Sequence, residues 1–295
     1  MNFGRVLTAM VTPFDEQLKV DNARLHTLVQ HLIDNGTDTI VVAGTTGESS
    51  TLSKKEKIEL LKEVKSIAGN EVKIIMNVGS NNTQDSIEFA KEVEATGAAD
   101  GIMLVNPYYN KPSQEGLYHH FSTIAANTKL PIMLYNIPGR TSVNLQASTT
   151  IELAKIPNIV AVKESSGDLS QMATIIQETH ESFALYSGDD NLTLPILAIG
   201  GNGVVSVASH LAGNELQQMI QFYQDGNVEK ASTLHRELMP FFEGIFFQTN
   251  PVPIKKALTI SGIPVGGVRL PLIDMKKEDE SVVQQLLANL PISKK

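Results

Sequence analysis

With 295 residues, 42% of them hydrophobic and 19% charged, the chain has the composition of a globular protein with ample material for a core. Its net charge of −8 is spread without a basic run that could track a phosphate backbone, which argues against nucleic acid. No apolar stretch is long enough to span a bilayer and no leader pattern opens the chain, so no membrane is expected and the cytoplasm is the default compartment. The absence of cysteine excludes disulfides, thiolate catalysis and Cys-based zinc sites, and the seven histidines form no HExxH pair, so chemistry without metal or cofactor is expected.

In chain order, short apolar and β-branched runs predict strands at Val6–Val11, Thr39–Ala43, Lys73–Val78, Gly101–Val105, Ile132–Asn136, Ile159–Lys163, Phe183–Ser187 and Gly203–Val207. Amphipathic stretches fall between them, including Lys55–Ile67 and Thr83–Thr96. Strands that alternate with helices predict a parallel sheet, and eight βα units predict a closed (β/α)8 TIM barrel. No GxGxxG follows an early strand and no GxxxxGK[ST] loop is present, which disfavours a doubly wound nucleotide fold. Gly200-Gly201-Asn202-Gly203 precedes the last strand and reads as a plain turn. Beyond Asp225-Gly226-Asn227 the strand pattern stops, and Val228–Phe247, Val252–Ser261 and Glu278–Leu290 read as helices. The expected organisation is a catalytic barrel over 1–225 and a C-terminal helical domain over 226–295, suited to packing subunits together.

Barrel sites lie at the C-terminal ends of strands. There the sequence puts Gly44-Thr45-Thr46-Gly47-Glu48 after strand two and Asn106-Pro107-Tyr108-Tyr109-Asn110 after strand four. Strand five runs into a polar loop, Tyr135-Asn136-Ile137-Pro138-Gly139-Arg140-Thr141. Lys163 closes strand six, Ser187-Gly188-Asp189-Asp190 follows strand seven, and Val205 and Ser206 lie in strand eight. Each has an ordinary reading: threonines cap turns, tyrosines pack on neighbours, Asp189-Asp190 starts a helix, Arg140 is a surface charge. Convergence on one barrel face weakens those readings together.

Lys163 stands out because a lysine ending a buried strand carries a cation toward a core. Lowering an amine pKa from about 10.4 to about 7 costs on the order of 4–5 kcal/mol. An ion pair is the ordinary remedy, but Glu164 points to the opposite face of the strand. A desolvated amine instead attacks a ketone, forms an imine and activates the adjacent carbon as an enamine, with Tyr135, Thr46 and Tyr109 as hydroxyls able to move protons. Arg140 offers a bidentate clamp for a carboxylate. The predicted class is a Schiff-base lyase or aldolase acting on a keto acid.

Gly44-Thr45-Thr46-Gly47-Glu48-Ser49, Asn106-Pro107-Tyr108-Tyr109, Tyr135 to Thr141, Val162-Lys163-Glu164, Ser187-Gly188-Asp189-Asp190 and the tail segment Asn250-Pro251-Val252-Pro253-Ile254-Lys255 resemble the dihydrodipicolinate synthase family in content, order and spacing. The resemblance implies condensation of pyruvate with L-aspartate 4-semialdehyde, with Lys163 forming the imine and Thr45 and Thr46 binding the pyruvate carboxylate. It implies Tyr135, Thr46 and Tyr109 as the proton relay, Tyr109 supplied by the adjacent subunit of a homo-oligomer, a dimer at least. Gly188 and Val205 would line the pyruvate pocket and Arg140 would engage the semialdehyde carboxylate.

N-acetylneuraminate lyase shares the barrel, the lysine and the Tyr-Asn-Ile-Pro segment, but the continuation Gly139-Arg140-Thr141 resembles the synthase. A non-catalytic barrel that binds a keto acid would need only the carboxylate pocket, and the presence of both Lys163 and Tyr135 argues against it. Lysine-inhibited members of the family carry histidines where this chain has Lys54 and Lys57 and a glutamate where it has Asp85, whereas Asn81 and Tyr108 match. Two cations beside a site for a cationic amino acid predict weak or absent lysine feedback.

Overall fold

A computed structural model describes residues 3–291. Eight strands alternate with helices, beginning with β1 (Val6–Ala9), α1 (Asn22–Asp34), β2 (Thr39–Val42), α2 (Lys54–Ala68), β3 (Lys73–Asn77), α3 (Thr83–Thr96) and β4 (Gly101–Val105). The chain continues through α4 (Gln114–Ala125), β5 (Ile132–Asn136), the single turn α5 (Pro138–Thr141), α6 (Ala147–Ala154), β6 (Ile159–Glu164), α7 (Leu169–Glu178), β7 (Ala184–Ser187), α8 (Thr193–Ala198) and β8 (Gly203–Ser206). Four helices follow: α9 (Ser209–Gln224), α10 (Val228–Gly244), α11 (Val252–Ile260) and α12 (Glu280–Ala288). The strands close into a barrel in sequence order, β1 to β8, as the alternating pattern predicts.

Local chemistry explains the boundaries. Asp21 caps α1, a reciprocal capping box of Ser53 and Glu56 starts α2, and Asn82 caps α3, which stops at Gly97 in the left-handed region. Strands covered on both faces need apolar residues at nearly every position, which is why they read as continuous runs. β1 ends before the predicted Val11 because the Val11 N–H leaves the sheet and donates to Nε2 of His210 at 3.1 Å. β6 runs one residue further than predicted, since Glu164 stays in register with Asn136 on one side and Ser187 on the other. α10 stops at Gly244, three residues short of Phe247; a Cβ on Gly244 would lie 2.3 Å from the Leu286 side chain, so α12 packs against that bare backbone.

By backbone proximity the chain forms two compact units. One comprises 73–205 with Phe3 and Gly4. Its β3–β7 strands pair in parallel register, and a row of Tyr135, Lys163 and Tyr186 runs across β5, β6 and β7. The other comprises 5–72 and 206–291. In it α9 packs on β1 and α10, and α12 packs on α10 and α11. Among the described residues no helix is long and apolar enough to cross a membrane.

Candidate active site

In the first unit, the register of β5 and β6 sets Tyr135 directly beside Lys163. Both are buried, at 4% and 6% exposure, and Nζ of Lys163 stands 4.1 Å from the centroid of the Tyr135 ring. The ring face attracts a cation and the hydroxyl lies on the same side chain, so one residue steadies the nitrogen and carries a proton donor. Among the described residues, Lys163 Nζ has no hydrogen bond and no ion pair. Gly188 closes the third side: its N–H donates to the Glu164 carbonyl at 2.8 Å, and a Cβ there would lie 2.9 Å from Cε of Lys163. Val205 is fully buried in β8. Asp189 occupies the cap position of the turn after β7 but makes no side-chain cap bond; burial pushes its carboxyl up, and the Lys163 charge works against that rise.

Glu164 points away from Lys163, as strand alternation requires, into a polar network that the sequence reading missed. Nδ2 of Asn136 donates to both of its carboxylate oxygens at 3.0 Å, Nε2 of Gln171 donates at 3.1 Å and the Ser166 N–H at 2.8 Å. Asn106 in turn donates to Oδ1 of Asn136 at 2.8 Å. Burial raises the Glu164 carboxyl pKa and these donors oppose it. The signal was present in the motifs, because Asn136 and Glu164 each follow a site residue by one position. They lock the register that brings Tyr135 to Lys163.

Arg140 folds into the helical turn α5, with Pro138 at its first position, rather than into the loop expected; its side chain is exposed. Tyr109 sits in the left-handed region at φ 77° and is 88% exposed. Asn81 and Asn110 hold that strained loop: Nδ2 of Asn81 donates to the Tyr108 carbonyl at 3.1 Å, and Nδ2 of Asn110 donates to the Asn81 carbonyl at 2.8 Å. Asp85 is exposed in the first turn of α3.

In the second unit, the loop after β2 exposes Thr45 and buries Thr46, whose Oγ1 accepts a 2.9 Å bond from Nδ2 of Asn250. A Cβ on Gly47 would press to 3.0 Å from the Met10 carbonyl oxygen, and Oγ1 of Thr12 donates to the Gly47 carbonyl at 2.7 Å. Glu48, left-handed at φ 56°, sends its carboxylate into the protein, where Oε1 meets Nζ of Lys255 at 2.6 Å and Oε2 accepts from the Arg269 N–H at 2.9 Å. Lys255 also donates to the Gly267 carbonyl at 2.7 Å and lies 4.2 Å above the Phe14 ring. Burial lowers its pKa to about 8 against the pull of Glu48. The tail motif had flagged Asn250 and Lys255 without revealing that they brace the threonine loop. Lys57 lies in α2, and burial, with the like charge of Lys54 second, lowers its pKa.

A model of the dihydrodipicolinate synthetase family matches residues 2–290. The chain belongs to that family. A protein of Listeria monocytogenes named 4-hydroxy-tetrahydrodipicolinate synthase is 54% identical over 98% of this chain and 99% of its own length. The crystal structure of a dihydrodipicolinate synthase from Bacillus anthracis is 48% identical, with a TM-score of 0.97 over 99% of this chain and 100% of that one. The Cyanidioschyzon merolae dihydrodipicolinate synthase, solved with lysine bound, is 50% identical with a TM-score of 0.95, covering 98% of each chain. Among members of the dihydrodipicolinate synthetase family, then, the likeness extends through the C-terminal helices as well as the barrel.

Proposed function

We propose that the chain condenses pyruvate with L-aspartate 4-semialdehyde to 4-hydroxy-tetrahydrodipicolinate, the first committed step toward diaminopimelate and lysine. The observation that carries this reading is Lys163, buried and unpaired over the Tyr135 ring at the end of β6. Its neutral amine adds to the pyruvate ketone carbon, and the resulting hydroxyl leaves as water to give the imine. Removal of a methyl proton by the relay gives the enamine. The enamine carbon then bonds to the aldehyde carbon, the carbonyl pair moves to oxygen and takes up a proton, and water releases the adduct and restores Lys163. The substrate's own amine then adds to the released ketone carbon and the ketone oxygen leaves as water, which closes the ring and completes the product.

In this reading Tyr135, Thr46 and Tyr109 carry the protons, Thr45 and Thr46 hold the pyruvate carboxylate, Gly188 and Val205 line its pocket, and Arg140 meets the semialdehyde carboxylate. The exposure of Tyr109 on a strained loop supports its delivery to the site of a second copy, so that two chains complete each other's centres. The catalytic barrel runs to residue 225, and the helices beyond it serve subunit packing, while Asn250 and Lys255 also brace the threonine loop. Borohydride reduction in the presence of pyruvate, followed by peptide mapping, tests the chemistry: the adduct is expected on Lys163, and an unmodified Lys163 rejects the mechanism. Turnover of L-aspartate 4-semialdehyde rather than N-acetylneuraminate then tests the second substrate.

A further inference from the structure

Ser165 lies just past the end of β6 and was singled out by neither the motifs nor the mechanism. Its N–H donates to the Asn136 carbonyl at 2.8 Å, so the ladder with β5 continues one residue beyond the strand. Side chains alternate along such a ladder. Glu164 faces the Asn136–Gln171 network, and Ser165 therefore returns to the face of Lys163, one pleat nearer the C-terminal end of the barrel.

The bare α-carbon of Gly188 fixes where that hydroxyl goes. A Cβ on Gly188 would lie 1.8 Å from Oγ of Ser165 and 2.9 Å from Cε of Lys163, so both side chains converge on the same small space. Oγ of Ser165 is shielded from solvent and has no hydrogen-bond partner among the described residues. A buried hydroxyl left unpaired is uncommon and calls for a reason.

Resting on the function proposed above, we infer that Ser165 is a substrate-contacting residue whose hydroxyl donates a hydrogen bond to the aldehyde oxygen of the second substrate. The first substrate is bonded to Lys163 Nζ, and the second enters from the C-terminal mouth, the side on which Ser165 lies. As the enamine carbon bonds to the aldehyde carbon, the carbonyl electron pair moves to that oxygen. A fixed donor there is worth most when the charge develops. The proton that completes the new hydroxyl is the one the relay took from the pyruvate methyl group, so Ser165 stabilises the oxygen without itself being consumed.

Ser165→Ala separates this role from a structural one, because the hydroxyl has no partner among the described residues to lose. The expected result is a fall of about 10²–10³-fold in kcat with both substrates, with the pyruvate KM unchanged, borohydride trapping of pyruvate on Lys163 at the wild-type rate and no loss of thermal stability. Wild-type turnover by the variant overturns the inference. So does trapping slowed in proportion to turnover, which would put the hydroxyl on the pyruvate side. If the unaltered chain forms no adduct on Lys163, the function itself is rejected; an adduct with unimpaired Ser165→Ala turnover removes Ser165 alone.

Discussion

Two lysines are buried among the described residues, each above an aromatic ring at nearly the same distance, 4.1 Å for Lys163 and 4.2 Å for Lys255. Their remaining neighbours differ. Lys255 has the Glu48 carboxylate and the Gly267 carbonyl bonded to it, whereas Lys163 has a tyrosine, the bare backbone of Gly188 and an Asp189 carboxyl that feels its charge without a bond to it. A buried ammonium ion with its counterion in place is a structural element. An amine beside a tyrosine hydroxyl, with no carboxylate bonded to it among the described residues, is suited to the nucleophilic role proposed for Lys163.

The comparison is most directly broken at Lys163, the member proposed to react. Lys163→Ala is expected to abolish borohydride-trappable pyruvate and turnover while leaving circular dichroism unchanged, and trapping that moves to Lys255 would show the two lysines to be equivalent. Glu48→Ala leaves Lys255 without its counterion and is expected to cost about 3–5 kcal/mol in denaturant unfolding. Replacing the pair together, Glu48→Leu with Lys255→Met, should recover much of that loss; a double variant as unstable as the single one would mean that Glu48 acts through Arg269 instead. Tyr135→Phe keeps the ring under Lys163 and removes only the hydroxyl. It should lower kcat by about 10²–10⁴-fold with little change in melting temperature.

A third buried base extends the series. His210 is held neutral, accepting from the Val11 N–H while Nδ1 donates to the Val207 carbonyl, and burial lowers its pKa from 6.5 to about 4. The unfolded chain therefore binds a proton below about pH 6.5 that the folded chain takes up only near pH 4. Stability should fall by about 3 kcal/mol between those values and level off below them. His120, whose pKa burial also lowers to about 4, adds a slope of the same sign. His210→Asn, which retains one donor and one acceptor, should therefore reduce the slope without abolishing it in urea titrations run from pH 7 to pH 4.

The smallest effect is expected at Lys54 and Lys57. There burial and like charge already disfavour a cation, and millimolar lysine should inhibit weakly or not at all. Strong inhibition in a steady-state assay would defeat this reading, notwithstanding the lysine seen in the Cyanidioschyzon merolae relative.

The sequence made the barrel legible because each strand is covered on both faces and so has to be apolar along its length, and because Ser53, Asn82 and Gly97 mark helix ends locally. Lys163 was legible for the same reason, as a charge closing an apolar run. What sequence could not reveal was partnership at long range. Nothing near Glu48 points to Lys255, and the bond from Asn250 to Thr46 joins residues 204 positions apart. Ser165 was hidden differently: a serine after a strand is ordinary until Gly188 shows what it faces.

The bracing of the threonine loop by Asn250 and Lys255 also sets an order of events in synthesis. A ribosome extends the chain from the N-terminus, so β2 and its loop emerge long before the segment that holds them. Thr46 acquires its hydrogen bond, and Glu48 its counterion, only after residue 255 has left the exit tunnel. Until then Glu48 lacks the cation that makes its burial tolerable. A nascent chain halted before Asn250 would carry Lys163 with Tyr135 beside it, yet it would lack the two contacts that fix the threonine loop.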